Sequence, residues 1–290
     1  MKRILQLFFV GYVVLSVATL VRYGMLGNVF SKMALCWLAG LLLLTLFFAA
    51  ALARQRFDLV DTAWGLTFIA IATAAFVSGP HNFGLNPATV VVGLVYVWGI
   101  RLAWHIGRRF LRSTHTDERY VELMKKWRGN PALNAYVRIY GVQSLLALLV
   151  SIPVIHICIS QELAWNIWTQ LGVLVWAVGF WCEALADAQL KRFLANPLNR
   201  GKLMTHGLWK YSRYPNYFGE LTMWWGIALI SLGTAHGWVG LGGAAVITYL
   251  IVYVSGIPPK ETRLRKRPGW QEYVQSTRLL APLPKTYLKK

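Results

Sequence analysis

Residues 33–53, MALCWLAGLLLLTLFFAAALA, form an uninterrupted apolar run of 21 residues with no charged side chain. A helix needs about 20 apolar residues to cross a hydrocarbon core about 30 Å thick. Strands of a membrane barrel instead alternate apolar and polar residues over segments of about ten. The run therefore predicts a transmembrane helix, in which every backbone polar group is satisfied within the segment.

Seven more runs of this kind occur along the 290 residues, and together they predict an all-α integral membrane protein, a bundle of about eight transmembrane helices. The predicted spans are 4–21, 33–53, 59–78, 88–106, 140–159, 167–186, 217–234 and 238–256. The composition agrees with this class, because 56% of the residues are hydrophobic and only 14% are charged. Soluble domains carry about 25% charged residues.

The formal net charge of +19 comes from 30 Lys and Arg residues against 11 Asp and Glu residues. The basic residues occupy short segments between apolar runs, so they indicate membrane topology and predict no nucleic-acid partner. With the N-terminus inside and 4–21 counted as an uncleaved first span, 28 of them are cytoplasmic and only Arg22 and Lys32 are outside. Both termini are therefore predicted in the cytoplasm. The basic segment 107–139 is interpreted as an interfacial helix, with a lid over a ligand as the alternative.

The three cysteines, Cys36, Cys158 and Cys182, lie inside apolar runs. Neither they nor the six histidines show the spacing of a disulfide framework or of a metal site. Each cysteine is interpreted as a small buried apolar residue, and no metal is predicted.

Ionisable side chains in transmembrane segments are costly and mark interior cavities, pairs or functional sites. Such side chains occur here at Asp58 and Asp61, Arg101, Glu183 and Asp187, and Glu220. Glu183 and Asp187 are four residues apart on a helix predicted to continue over 180–194, so they share one face, which Lys191 extends. This face could orient an arginine or accept hydrogen bonds from ribose hydroxyls; the alternative is an ordinary surface pair of Asp187 with Lys191.

The segment 205–220, THGLWKYSRYPNYFGE, carries the strongest functional signal. Gly207 permits a close backbone approach, and Arg213 offers a two-pronged donor for phosphate or carboxylate. Pro215 suits the first turn of a helix starting around Asn216, whose N-terminus would favour an anion. Further cations lie nearby at Lys191, Arg192, Arg200, Lys202 and Lys210. These features predict a phosphate-rich, water-soluble ligand that enters from the cytoplasm, with a loop contacting lipid headgroups as the alternative.

These residues resemble the C-terminal signature of the membrane steroid 5α-reductase family, in its bacterial branch of the DUF1295 type. The matching motifs are Glu183-x3-Asp187-x-Gln189, Asn199, Gly207-Leu208-Trp209, Arg213-x-Pro215-Asn216-Tyr217-x-Gly219-Glu220, Glu261-x-Arg263 and Pro268-Gly269-Trp270-x2-Tyr273. The resemblance covers roughly residues 170–285. Weaker agreement extends to Asp58-x2-Asp61-x2-Trp64-Gly65 and to Trp98-x2-Arg101-Leu102.

The resemblance implies a bacterial inner-membrane reductase that binds NADPH in a cytoplasm-facing cavity and reduces the C=C bond of an enone-type lipid, steroid or isoprenoid-like. It implies an N-terminal transmembrane hairpin over 1–58 and a reductase-like domain over 59–290, whose part at about 167–285 binds the cofactor. The residues that the likeness assigns to the cofactor are Glu183, Asp187, Lys191, Asn199, Arg213, Asn216, Tyr217, Glu220, Glu261 and Arg265.

In the steroid-reducing relatives, a tyrosine supported by a glutamate stabilises the substrate's carbonyl oxygen. Here Trp98 stands where that tyrosine is expected, and an indole cannot supply a proton at neutral pH. Asp61, Tyr96 and Asp58 are the candidates to replace it. Two other functions remain open: an S-adenosylmethionine-dependent membrane methyltransferase similar to the isoprenylcysteine carboxyl methyltransferases, and a non-catalytic membrane protein on the same fold.

Overall fold

The computed structural model describes residues 26–113, 116–125, 127–161 and 163–285, with side chains from residue 28 onward. These residues form α-helices, short 3₁₀ and π segments and an isolated bridge between Ser212 and Arg278, and they contain no β-strand. The helices are α1 (Leu26–Arg54), α2 (Val60–Ser78), α3 (Pro87–Arg112), α4 (Glu118–Met124), α5 (Pro131–Ala135), α6 (Val142–Val150), α7 (Ile152–Ile159), α8 (Ile167–Ala195), α9 (Pro215–Ser231), α10 (Leu241–Tyr249), α11 (Ile257–Leu264) and α12 (Trp270–Ser276). The predicted all-α class is confirmed.

Six helical segments in the described residues are long and apolar enough to cross a membrane, so the chain is an integral membrane protein. They are Asn28–Arg54, Phe57–Ser78, Pro87–Arg112, Pro131–Val150, Ile167–Ala195 and Gly237–Leu264, and each overlaps a predicted span. The predicted span 217–234 corresponds to α9, which has 17 residues and is shorter than these six. The predicted span 4–21 lies outside the described residues.

The chain divides into two compact units. The first unit contains the described residues up to Ile167 together with Ser231–Gly243, and the second contains Trp168–Ile230 and the residues from Ala244 onward. The proposed division into 1–58 and 59–290 remains a prediction.

In the first unit, α2 and α3 approach each other closely where both carry glycine. A Cβ on Gly65 would lie 2.5 Å from the carbonyl oxygen of Gly99, and a Cβ on Gly99 would lie 2.6 Å from that of Gly65. Further along the unit, the helical segment that begins at Pro131 is interrupted by a turn at Ser151, just before Pro153. A proline in a helix lacks the amide donor that the preceding turn requires, which explains this break.

In the second unit, α8 and α9 form an antiparallel pair whose contact face is made of glycines. A Cβ on Gly172 would lie 2.5 Å from the carbonyl oxygen of Gly226, and a Cβ on Gly179 would lie 2.6 Å from that of Gly219. The two glycines on each helix are seven residues apart, so they lie on the same face. Small residues let membrane helices approach to backbone contact, and here they fix the register in which the residues of the candidate site meet.

Candidate functional site

The glycine face ends at Glu183, which is only 3% exposed. A Cβ on Gly219 would lie 2.5 Å from the backbone nitrogen of Glu183, so no larger residue fits there without movement. One residue earlier on α8, the Cys182 thiol donates to the carbonyl oxygen of Pro215 at 3.4 Å. The acidic part of α8 therefore lies along the first turns of α9. Asp187 follows one helical turn beyond Glu183.

The loop before α9 is hydrogen-bonded to α8. The backbone N–H of Leu208 donates to Oε1 of Gln189 at 3.0 Å, and the Trp209 indole donates to the carbonyl oxygen of Ala186 at 3.1 Å. Gly207 has a φ of +60°, and a Cβ there would lie 2.5 Å from the Gln189 amide. The close approach predicted at Gly207 is confirmed, and its positive φ favours glycine.

The start of α9 carries two buried polar atoms without a hydrogen-bond partner in the described part of the chain. They are Oδ1 of Asn216 and the hydroxyl of Tyr214. The helix begins at Pro215, which confirms the predicted first-turn position. Burial, followed by the nearby charge of Glu261, raises the pKa of Tyr214 above its ordinary value. Buried polar atoms are normally paired, so both atoms retain hydrogen-bonding capacity that the described residues do not use.

Arg213 binds within the protein. Its Nε and Nη2 donate to Oε1 of Glu261 at 3.2 and 3.1 Å, and its Nη1 donates to the carbonyl oxygen of Thr277 at 3.1 Å. Its backbone N–H donates to the carbonyl oxygen of Arg278 at 2.9 Å, and the Tyr273 hydroxyl ties the same tail to the loop carrying Arg213. The guanidinium thus holds the C-terminal tail, a contact that the sequence did not indicate. Its predicted contact with a phosphate stays a prediction.

The remaining residues assigned by the resemblance make separate contacts or are exposed. Lys260 places its ammonium 4.1 Å from the centroid of the Tyr217 ring. Arg265 is 69% exposed on its side chain and lies 3.9 Å from Glu261. Asn199 donates to the carbonyl oxygen of Phe193 at 2.9 Å. Lys191 is exposed, and Glu220 is half-buried on α9.

The acidic candidates of the first unit belong to a network of ion pairs. Asp58 accepts from Arg56 at 2.8 Å. Asp61 accepts from Arg119 at 2.8 Å and from the Tyr120 hydroxyl at 2.5 Å. Arg119 also pairs with Asp117 at 3.0 Å. Sequence reasoning missed Arg119 and Tyr120, because nothing in segment 107–139 indicates which residues reach back to α2, and it also missed the local pair of Arg56 with Asp58.

The titration of this network follows from its contacts. Burial raises the pKa of Tyr120 well above its ordinary value, and the charge of Asp61 adds to the effect. Burial also acts to raise the pKa of Asp117, but its hydrogen bonds and ion pair with Arg119 outweigh burial, and the pKa is lowered.

Tyr96 and Trp98 lie elsewhere on the first unit. The Tyr96 hydroxyl and Oγ1 of Thr73 are 2.7 Å apart, and Thr73 is twelve residues, about 18 Å of helix, from Asp61. Trp98 is 2% exposed and meets the Phe68 ring edge-on at 5.4 Å. The three candidate proton donors are therefore not brought together, although Asp58 and Asp61 are.

Two hollows open in the second unit. The larger, about 440 Å³, lies beside the C-terminal end of α8, and the smaller, about 300 Å³, is lined by Glu261, Arg265 and residues of α12. Asn199 and Gly207 line the larger one. In the described ranges, no group of three or more His, Cys, Asp and Glu side chains is placed to hold a metal ion.

Fold and site together define a helical integral membrane protein in which α8 and α9 pack closely and bring buried polar side chains to their contact. The chain belongs to the DUF1295 family, described as a protein of unknown function, which matches residues 47–277. This family is steroid 5α-reductase-like.

Two curated proteins are similar to parts of the chain. One is the steroid 5-alpha-reductase DET2 of Gossypium hirsutum, 34% identical over 84 residues, which are 29% of this chain and 30% of the relative. The other is the probable O-methyltransferase ustE of Ustilaginoidea virens, 38% identical over 73 residues, which are 25% of each chain. The chain thus spans less than a third of the length of these relatives. No solved structure matches it.

Proposed function

We propose that the protein is an NADPH-dependent membrane reductase that acts on the C=C bond of an enone-type lipid, steroid or isoprenoid-like. The observation that carries the proposal is the buried Oδ1 of Asn216, which has no partner in the described residues, at the start of α9, the helix whose Gly219 packs against the buried Glu183 of α8. A ligand with N–H or O–H donors satisfies such an acceptor, and both ribose hydroxyls and a carboxamide supply them. The local similarity to a steroid 5-alpha-reductase supports this choice.

In this proposal, the acidic residues Glu183, Asp187 and Glu220 accept hydrogen bonds from the cofactor, with Asn199, Asn216 and Tyr217 as neutral partners. Lys191 and Arg265, both exposed, face its phosphates. Arg213 and Glu261 support the site by holding the tail against the loop. The division suits a membrane enzyme: a charged cofactor enters at the basic cytoplasmic side, while an apolar substrate reaches the site from the bilayer of the bacterial inner membrane.

When bound, the cofactor supplies a hydride to the β-carbon of the enone, and negative charge develops on the carbonyl oxygen. A hydrogen-bond donor or acid at that oxygen is the remaining requirement. Asp61, Tyr96 and Asp58 are the proposed donors. Turnover of a generic enone is measured for Asp61→Asn, Tyr96→Phe and Asp58→Asn to identify the donor. Only substitution of the true donor should abolish turnover while leaving NADPH binding unchanged.

A second function is favoured by a different observation, the similarity to a probable O-methyltransferase. S-Adenosylmethionine also carries ribose hydroxyls and an amine that satisfy Asn216 and the acidic face. A third, a non-catalytic membrane protein, is favoured by Trp98 in the position where a tyrosine is expected. The three differ in which ligand the purified protein binds and in whether it turns an enone over.

The test is thermal unfolding of the detergent-purified protein with NADPH or S-adenosylmethionine. A ligand at about a hundred times its Kd adds about 2.7 kcal/mol to stability. We expect NADPH to raise Tm and S-adenosylmethionine to leave it unchanged. Asn216→Ala should weaken NADPH binding about fivefold to tenfold by removing one hydrogen-bond acceptor. Asn82→Ala, an exposed loop asparagine of the first unit, is the matched control. A response to S-adenosylmethionine alone, or to neither ligand, contradicts the reductase proposal.

A further inference from the structure

The larger hollow of the second unit is of ligand size. Its volume of about 440 Å³ falls within the range of about 300–1,000 Å³ typical of small-molecule sites. It lies between the C-terminal end of α8 and the loop that follows, so its walls belong to one compact unit. The residues that matter for its chemistry are Gln189, Arg192, Phe193, Asn196, Met204 and His206.

The hollow combines flat apolar surface with amide donors. The Phe193 and His206 rings meet edge to face, with centroids 6.4 Å apart and an angle of 83° between their planes. Gln189 uses its Oε1 to accept from Leu208, and Asn196 uses its Oδ1 to accept from Leu198. The amide nitrogens of both side chains are then the donors left for a ligand. A purine ring has the complementary character, since it is flat and its ring nitrogens accept hydrogen bonds.

The positive charge around the hollow favours a purine ligand that carries a phosphate. Arg192 lines it, is exposed, and forms no ion pair within the part of the chain that the structure describes. From residue 188 to residue 219 the sequence contains six Lys and Arg residues and no Asp or Glu. An anion at Arg192 therefore meets no opposing carboxylate from this stretch.

We propose that this hollow binds the adenosine end of the cofactor, with Phe193 and His206 against the purine and Arg192 facing the adjacent phosphate. The inference rests on the proposed function and deepens it. Phe193 lies ten residues, about 15 Å of helix axis, beyond Glu183 on α8. A dinucleotide lying along α8 thus has its adenosine at the hollow and its other end at Glu183 and the α9 helix that packs against it.

The two candidate cofactors share an adenosine, so the test uses one adenosine fragment from each. These are 2′,5′-ADP, the adenosine end of NADPH, and 5′-methylthioadenosine, the adenosine end of S-adenosylmethionine. Their affinities are measured by calorimetry on the full-length protein and on Phe193→Ala and Arg192→Gln. Leu194→Ala, a neighbouring residue on α8 that is 59% exposed and does not line the hollow, is the control.

We expect 2′,5′-ADP to bind, both variants to weaken it about tenfold, and Leu194→Ala to leave it unchanged. If 2′,5′-ADP binds the unaltered protein and both variants with equal affinity, the hollow is not the adenosine site. The proposed function then still stands if NADPH raises Tm and Asn216→Ala reduces that rise. Binding of 5′-methylthioadenosine alone, weakened by Phe193→Ala and unchanged in Arg192→Gln because this fragment carries no phosphate, supports the adenosine site and overturns the NADPH assignment. Absence of binding by either fragment overturns the inference.

Discussion

The guanidinium of Arg213 and the carboxylate of Glu261 form an ion pair, 3.1 Å from Nη2 to Oε1, across 48 residues of sequence. The two side chains are only 11% and 18% exposed, so water screens the pair little. Two motifs that stand apart in the sequence, the loop before α9 and the start of the tail, are therefore in direct contact. The tail acts as a support for the loop that carries Tyr214 and Asn216.

We predict that Arg213→Ala lowers the stability of the ligand-free protein by about 2–3 kcal/mol, because it leaves the partly buried Glu261 without its partner. Glu261→Ala should have a similar effect, and the double variant should cost much less than the sum of the two. The measurement is Tm in detergent without added ligand, analysed as a double-mutant cycle.

The control for this cycle is Arg265→Ala. Arg265 is 69% exposed and 3.9 Å from the same carboxylate, so its loss should change stability by less than about 0.5 kcal/mol. If Arg213 served only to bind a phosphate, Arg213→Ala would leave the ligand-free Tm unchanged and remove only the response to NADPH. That pattern would contradict the role of the pair in holding the tail.

The sequence predicts the features whose signal is local. An apolar run of sufficient length predicts a helix by itself, as 33–53 does for α1. The preference for glycine at a close backbone approach, or for proline at a helix start, depends only on neighbouring residues. Gly207 and Pro215 were predicted for these reasons, and the structure confirms both. The common helical face of Glu183 and Asp187 follows from their spacing, and α8 carries both.

Contacts between distant segments could not be predicted in this way. The carboxylate that binds Arg213 lies 48 residues away, and no periodicity relates the two positions. Tyr120 donates to Asp61 across 59 residues. For segment 107–139 the sequence favours an interfacial helix or a lid, and the structure adds that α4 is joined to α2 through these side chains. Such pairings depend on how helices meet, which a single sequence does not encode locally.

Substitution of Gly219 by alanine should separate α8 from α9. The added Cβ would lie 2.5 Å from the Glu183 nitrogen and 2.5 Å from the Gly179 carbonyl oxygen, both backbone atoms that cannot swing aside. Overpacking of this kind costs about 1–3 kcal/mol. We expect Gly219→Ala to lower Tm and to weaken NADPH binding, because Glu183 and Asn216 would no longer keep their register.

Gly93→Ala is the matched control for that substitution. Gly93 lies in the interior of α3, and a Cβ there meets nothing within 4 Å. Exchange of a helical glycine for alanine in open space is stabilising by about 0.4–1 kcal/mol. A Gly219→Ala protein as stable as the Gly93→Ala protein would mean that the α8–α9 contact is looser than the glycine face indicates.

The ion pair of Asp117 with Arg119 predicts a small loss of stability in acid. The pKa of Asp117 is lowered from 3.8 in the folded protein, so its contribution is present above about 3.8 and is lost as the pH falls through the lowered value. Because Arg119 is 47% exposed, solvent screening keeps the contribution below about 1 kcal/mol.

The measurement is Tm between pH 5 and pH 2.5 for the unaltered protein and Asp117→Asn. We expect the unaltered protein to lose more stability over this range, since the variant has no carboxylate to protonate at this position. Glu122→Gln, which removes an exposed carboxylate of the same helix, should follow the unaltered protein. Parallel curves for all three proteins would exclude a contribution from the Asp117 pair.

Asp61 should determine how firmly α4 is held to the first unit. Its two carboxylate oxygens accept from Arg119 and Tyr120, the second and third residues of α4. Asp61→Asn weakens the bond to Arg119, and Tyr120→Phe removes the other at almost constant volume. Each variant should therefore increase the rate of amide hydrogen exchange within Glu118–Met124 about tenfold.

Tyr96→Phe is the matched control, because it also deletes one tyrosine hydroxyl in a 2.7 Å contact, with Thr73, but far from α4. Its exchange within Glu118–Met124 should equal that of the unaltered protein. Unchanged exchange in Asp61→Asn and Tyr120→Phe would mean that apolar burial of the Tyr120 ring, which is 7% exposed, holds α4 by itself. Asp61 would then not be needed to hold α4, and loss of turnover in Asp61→Asn would be attributed to its part in the reaction alone.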